Sequence, residues 1–202
     1  MDYSYVKNQL NEIKLRILQT AKKYGRKAEE IKLVAVSKTF PPEAVLEAYN
    51  AGHRSFGENR VQELIEKAAK LPSNIEWHLI GHLQSNKAGK TVKSAEYIHS
   101  VDSIDLIPRI AKLANESGKI QKILLEINIS GEKSKFGLSD EKAIKECVEK
   151  AFQEKSISLQ GFMTMAPFEA SEFELRKLFS ALRILRDKIE NSFNIKLPEL
   201  SM

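Results

Sequence analysis

An α/β protein built as a TIM-type (β/α)8 barrel is predicted by three features of this sequence. Short apolar runs alternate with amphipathic stretches along almost the whole chain. The composition does not shift between them, and no glycine-rich phosphate fingerprint follows the first run. Regular alternation implies a parallel sheet covered by helices. The missing fingerprint counts against an open dinucleotide-binding sheet and leaves the barrel.

Taken in order, Val6, Leu10, Ile13, Ile17 and Ala21 share one helical face, and Gly25 is placed to end that helix, at about residues 1–25. IKLVAVSK (31–38) reads as a strand, and PPEAVLEAYNAG (41–52) as a helix opened by prolines and closed by glycine. RSFG (54–57) is a short strand, and residues 59–71 form a helix with Val61, Leu64, Ile65 and Ala68 on one face. Next come strand 75–81, helix 85–95, strand 97–102 and helix 103–118, whose start Pro108 delays or kinks. KILLEINIS (122–130) is a strong strand, followed by helix 138–155, strand 158–165 and a long helix over 171–193. The stripe of that last helix is Leu175, Leu178, Leu182, Leu185 and Ile189. LPELSM (197–202) is the seventh strand candidate, with no helix after it. A barrel needs eight strands and typically about 250 residues. The expectation for these 202 residues is therefore a single barrel domain over 1–202 that lacks the last strand and helix.

Composition narrows the function classes. Hydrophobic residues at 42% and charged residues at 29% are those of a soluble globular chain. No run approaches the roughly 20 apolar residues of a membrane span, and the charged N-terminus is not a signal peptide. The net charge of +5 is scattered over 32 basic and 27 acidic side chains. A nucleic-acid binder would show a basic stripe interleaved with aromatics, and there is none. A lone Cys147 excludes an internal disulfide and fits a reducing cytoplasm. It lies in the stripe Ala143, Ile144, Cys147, Val148, Ala151, where a buried thiol is expected.

Function in parallel sheets and barrels collects at the C-terminal ends of strands. Lys38 occupies such an end, in alternation with Val34 and Val36, so it shares their inward face. An amine at the mouth of an apolar tube loses hydration, which favours the neutral form that attacks carbonyls. Position alone leaves a second reading open, a lysine snorkelling to solvent. His78 and His82 straddle a strand end and a glycine turn, a poor geometry for zinc, so structural or solvent-facing histidines are expected and no metal site. The GKT of residues 89–91 lacks the first glycine of a P-loop, its place being held by Gln84. The loop GEKSKFG (131–137) carries Lys133 and Lys135, which suits an anion slightly better than a solvated turn.

Seven segments stand together at these strand ends: VSK (36–38), FGENRVQE (56–63), WHLIGHLQSNK (77–87), SVDS (100–103), GEKSKFGL (131–138), GFMTM (161–165) and LSM (200–202). In this order they resemble the pyridoxal phosphate homeostasis proteins, over nearly the whole chain from about Ile31 onward. The resemblance implies a fold like the N-terminal barrel domain of alanine racemase, standing alone. It implies pyridoxal 5′-phosphate as cofactor, its aldehyde joined as a Schiff base to Lys38. Asn59 is then expected near the cofactor's ring oxygen, and Ser201 at the opening of the phosphate site. The glycine, methionine and serine that usually follow, and the closing strand, are absent, which bears on cofactor affinity. The implied role is to carry or buffer the cofactor in the cytoplasm, as a monomer that serves pyridoxal-dependent client enzymes. Lys38 is the only strand-end group that can both anchor an aldehyde and move a proton, so no catalytic residues are expected. The alternatives are a pyridoxal-dependent amino-acid racemase and, more remotely, a class I aldolase.

Overall fold

Helix boundaries follow the local chemistry of the chain. In this computed structural model, which describes residues 2–132 and 136–202, the elements run α1 (Tyr5–Lys23), β1 (Ala35–Val36), α2 (Pro42–Asn50), β2 (Ser55–Glu58), α3 (Val61–Lys70), β3 (Glu76–Leu79), α4 (Ala88–Ser94), β4 (Tyr97–Val101), α5 (Leu106–Glu116), β5 (Gln121–Glu126), α6 (Glu141–Gln153), β6 (Ile157–Met163), α7 (Glu172–Phe193) and β7 (Glu199–Ser201). Asp140 caps α6 by accepting from Ala143 N at 3.0 Å, and Ser171 with Glu174 forms a capping box on α7. Asn194 closes α7 in the left-handed region, at φ 51°. Pro108 sits in the first turn of α5, where its missing N–H leaves no bond unmade. The helix accordingly begins at Leu106 rather than at 103.

The strands form one parallel sheet in the order β1-β2-β3-β4-β5-β6-β7. The sheet curls, because inward side chains from distant strands meet across it. His99 of β4 hydrogen-bonds Ser201 of β7 at 2.9 Å, and Lys32, ahead of β1, donates to Glu76 of β3 at 3.1 Å. Among the described residues no ladder joins β1 to β7, so both are edges.

One expectation needs correction, and one open alternative is decided. The strand expected over 31–38 narrows to Ala35–Val36, because an edge strand has a partner on one side only and its leading residues find no rung. For Lys38 two readings stood open, an amine at the mouth of an apolar tube and a lysine turned to solvent; it is exposed, and Val36 beside it is 46% exposed. An open sheet leaves its inward face wet at the edge.

Helices cover the outer face of the sheet in one continuous hydrophobic cluster. Leu64, Val92, Ile107, Ile110, Val148 and Leu182 are fully buried there, each side chain contributing roughly 1.5–3 kcal/mol of transfer free energy. Cys147 lies in this layer as expected, and burial pushes its thiol up to about 11. Of the α7 stripe, only Leu182 and Ile189 are buried, while Leu175, Leu178 and Leu185 are half-buried. At Gly161, φ 153°, a Cβ would run into the carbonyl oxygen of Glu199. The close approach of β6 and β7 therefore depends on a residue without a side chain.

Among the described residues, no helix is long and apolar enough to cross a membrane. Lys133 and Lys135, read as an anion-attracting loop, lie outside the described residues.

Candidate functional site

The inward side chains of the curled sheet line a cavity of about 1090 Å³. Lys38, Asn59 and Ser201, the three residues singled out for cofactor binding, all reach its wall. They come from the ends of β1, β2 and β7 respectively, with Tyr97 and His99 of β4 lining the cavity as well.

Lys38 is held by its backbone, not by its side chain. Ser37 N donates to Gly57 O at 2.9 Å and so extends the β1–β2 pairing. A buried cluster lies directly behind. Glu58, fully buried, accepts from Ser37 Oγ at 2.7 Å and from Lys67 Nζ at 2.6 Å. Lys67 Nζ also donates to the Ser37 carbonyl at 2.8 Å. Thr39, the next residue, sits at φ 67°, a strained conformation for a β-branched side chain. Its N–H is held at 2.9 Å by Glu63 Oε2, whose carboxyl stays below the usual range chiefly because of that bond. Among the described residues the amine of Lys38 has no hydrogen-bond or ion-pair partner, and the residue is exposed on the cavity wall. Such an amine is free to react.

Asn59 is exposed just past β2. Gly81, at the end of β3, is what lets it approach, since a Cβ there would collide with Asn59 O and Oδ1. Ser201 is half-buried, with its backbone oxygen accepting from Thr164 N at 3.0 Å.

Two inward groups, Glu76 and His99, were missed by sequence reading, and His78 was named there without its partners. Glu76, His78 and His99 form a polar chain through the interior that reaches Ser201. Glu76 Oε1 and His78 Nε2 lie 2.9 Å apart, as do His78 Nδ1 and His99 Nε2, and His99 Nδ1 and Ser201 Oγ. His78, expected to be structural or solvent-facing, is 1% exposed and stacks on Tyr97 at 4.7 Å. Burial, then the neighbouring His78, pushes His99 down to about 3, so it is neutral. Hydrogen bonds from His78, Lys32 and Ser55 hold Glu76 down at about 2. The only trace of this chain in the sequence was period-2 spacing, Glu76 with His78 and Tyr97 with His99.

A second polar group sits at the mouth, off the main cavity. His82 Nδ1 meets Asp102 Oδ2 at 3.1 Å, and its ring stacks on Phe136 at 4.1 Å. Glu126, at the end of β5, is pushed up to about 7 by burial and by the charge of Asp102. Among the described residues, no group of three or more His, Cys, Asp or Glu side chains is arranged to hold a metal ion.

Residues 10–202 match the family described as alanine racemase, N-terminal domain. The pyridoxal phosphate homeostasis protein of Aquifex aeolicus is 37% identical over 194 residues, covering 96% of this chain and 85% of that protein. Its counterpart in Schizosaccharomyces pombe is 36% identical over 199 residues, covering 96% and 80%. Among solved structures, PipY of Synechococcus elongatus with pyridoxal phosphate bound superposes with a TM-score of 0.80 at 36% identity, over 92% of this chain and 87% of that one. Alanine racemase of Clostridium difficile reaches 0.74 at 15% identity, over 94% and 49%, a likeness of fold alone. At this identity and coverage, the chain belongs to the pyridoxal phosphate homeostasis protein family.

Proposed function

We propose that this chain holds pyridoxal 5′-phosphate through a covalent bond to Lys38 and acts as a carrier or buffer of that cofactor inside the cell. One observation carries the reading. Lys38, Asn59 and Ser201, from three separate strand ends, line the same cavity, and among the described residues the Lys38 amine has no partner to displace. The residues fit the group: an unpaired primary amine for an aldehyde, an amide for a ring oxygen, and a strand end with a hydroxyl for a phosphate. When bound, the cofactor supplies an electrophilic aldehyde and a conjugated ring that accepts electrons.

The chain's own residues argue for holding over catalysis. Two-sided proton transfer at an amino-acid α-carbon needs a base on each face. His78 and His99, the inward imidazoles of this cavity, are bonded to each other and to fixed neighbours. Glu126, His82 and Asp102 do not line the cavity that holds Lys38. An exposed Lys38 also leaves the site open to water, which suits reversible exchange and weakens control of a carbanion.

The test is borohydride reduction of the protein loaded with pyridoxal phosphate, then peptide mapping. Label on the Lys38 peptide, with none on Lys133 or Lys135, is the expected result. The loaded protein is then incubated with L-alanine, L-serine and L-glutamate, and chirality and keto-acid release are measured. Steady multiple turnover that disappears in Lys38→Ala would replace the carrier with an enzyme.

A further inference from the structure

The polar chain Glu76–His78–His99–Ser201 has a direction, and that direction conflicts with binding a phosphate dianion. Glu76 is an anion with nothing to donate, so His78 Nε2 carries a proton and donates to it. With a single proton on its ring, His78 presents a bare Nδ1 that accepts from His99 Nε2–H. Neutral His99 is left with a bare Nδ1, and the bond at that end is donated by the Ser201 hydroxyl. The Ser201 proton thus points inward, and its oxygen offers the cavity only lone pairs. A phosphate dianion also offers only lone pairs.

Both ends can be satisfied if a proton from solvent enters at Ser201 and the protons of the two bonds behind it each move one place inward, toward Glu76. His99 then donates through Nδ1 to Ser201 Oγ and accepts at Nε2 from His78 Nδ1–H, while His78 Nε2–H keeps its bond to Glu76. The Ser201 hydroxyl is released to donate to the phosphate. The rearranged chain contains one more proton than before, taken from solvent, and it resides on His78 as imidazolium. We propose that anion binding at Ser201 is coupled to uptake of one proton by the buried His78, so that Glu76, His78 and His99 gate the phosphate site. The position is prepared for the charge. Glu76 faces His78 from its own strand, and the Tyr97 ring lies flat against it, 9° from parallel. Opposing it are Lys32 and Lys122, over the same Tyr97 ring at 4.6 and 5.0 Å. Lys32 is paired with Glu76 and Lys122 with Glu96. His53, ahead of β2, is neutralised mainly by burial, and His99 of β4 is neutral. Ser55 donates to Glu76 and Ser201 carries no charge.

This rests on the reading that a phosphate sits at Ser201, and the test separates the two. Calorimetry at about pH 8, where a phosphate monoester is dianionic, is run in two buffers of different protonation enthalpy. The probes are pyridoxal phosphate, pyridoxal and inorganic phosphate. Pyridoxal offers Lys38 the same ring and aldehyde, partly closed as a hemiacetal on its own hydroxymethyl group without net proton change, so the difference in protons taken up per adduct isolates the phosphate. About one extra proton is expected for pyridoxal phosphate and about one for inorganic phosphate. Because one proton is taken up on binding, affinity for both should fall about tenfold for each unit rise in pH. In ¹⁵N-imidazole spectra His78 should become doubly protonated on binding, while the proton of His99 moves from Nε2 to Nδ1. His78→Gln and the milder Ser201→Ala should each abolish the extra uptake while the visible band at Lys38 still forms. Equal uptake for pyridoxal and pyridoxal phosphate, uptake retained in Ser201→Ala, or no binding of inorganic phosphate overturns the coupling. No visible band with either aldehyde overturns the cofactor reading itself, while inorganic phosphate still reads the relay.

Discussion

The middle of the sheet and its two edges are held together by different forces. In β4, β5 and β6, Ile98, Ile123, Leu125 and Phe162 are all but inaccessible and pack against the helical layer. β1 and β7 are two and three residues long, and most of their side chains are half-buried or exposed. Short strands are a common way to blunt a sheet edge. Here the edges are fastened by polar contacts: the Glu58–Lys67–Ser37 cluster behind β1, and the His99–Ser201 and Thr164–Ser201 bonds on β7. Lys38 and Ser201, the two proposed anchors of the cofactor, stand one on each edge. Burial is thus concentrated in the middle strands, and access at the edges where these two proposed anchors stand.

The contrast can be broken hardest at the β1 fastening. Lys67→Met leaves a carboxylate buried without its cation, and one oxygen of Glu58 already has no partner. A loss of about 3–5 kcal/mol is expected in urea unfolding. Glu58→Gln combined with Lys67→Met should recover much of it, because no bare charge remains. Equal cost in the single and double variants would show that the pair acts by packing alone.

At the other edge, Gly161→Ala forces a methyl group into the Glu199 carbonyl. About 3 kcal/mol should be lost as β7 is pushed away. The phosphate-dependent part of cofactor binding should weaken with it, while reduction with borohydride still tags Lys38. If pyridoxal and pyridoxal phosphate weaken equally, β7 is not where the phosphate is held.

The middle strands give a pH signature. Glu126 has its carboxyl raised from an ordinary 4.5 to about 7, so the folded state favours the protonated form. Its contribution is fully present below about pH 4.5 and is lost as pH rises through 7, roughly 2–3 kcal/mol in all. Glu126→Gln should flatten that decline and be the more stable protein at about pH 8. An unchanged pH profile would mean that water or Asp102 relieves the carboxylate.

The smallest effect is expected at the reactive residue. Lys38 is exposed and unpaired, so Lys38→Ala should change stability by no more than about 0.5 kcal/mol while abolishing the covalent label. A large loss of stability would show that the amine is a structural contact.

The order of strands and helices, the parallel sheet, the delayed start of α5 at Pro108 and the buried Cys147 were all determined by local pattern, because periodicity, capping and proline chemistry act over a few residues. The positions of Lys38, Asn59 and Ser201 at strand ends were legible for the same reason, aided by the order of the seven family-like segments. What only the tertiary structure decided are the pairings between distant residues. Glu58 finds Lys67 across a strand–helix turn, and His99 meets Ser201 across a separation of 102 residues. No sequence period records a contact made inside a curled sheet. The exposure of Lys38 stayed open on the same ground. Alternation with Val34 and Val36 says which face a side chain takes, but whether that face is dry depends on what stands opposite. Across the cavity from β1 stands β7, an edge with which it shares no hydrogen bond among the described residues.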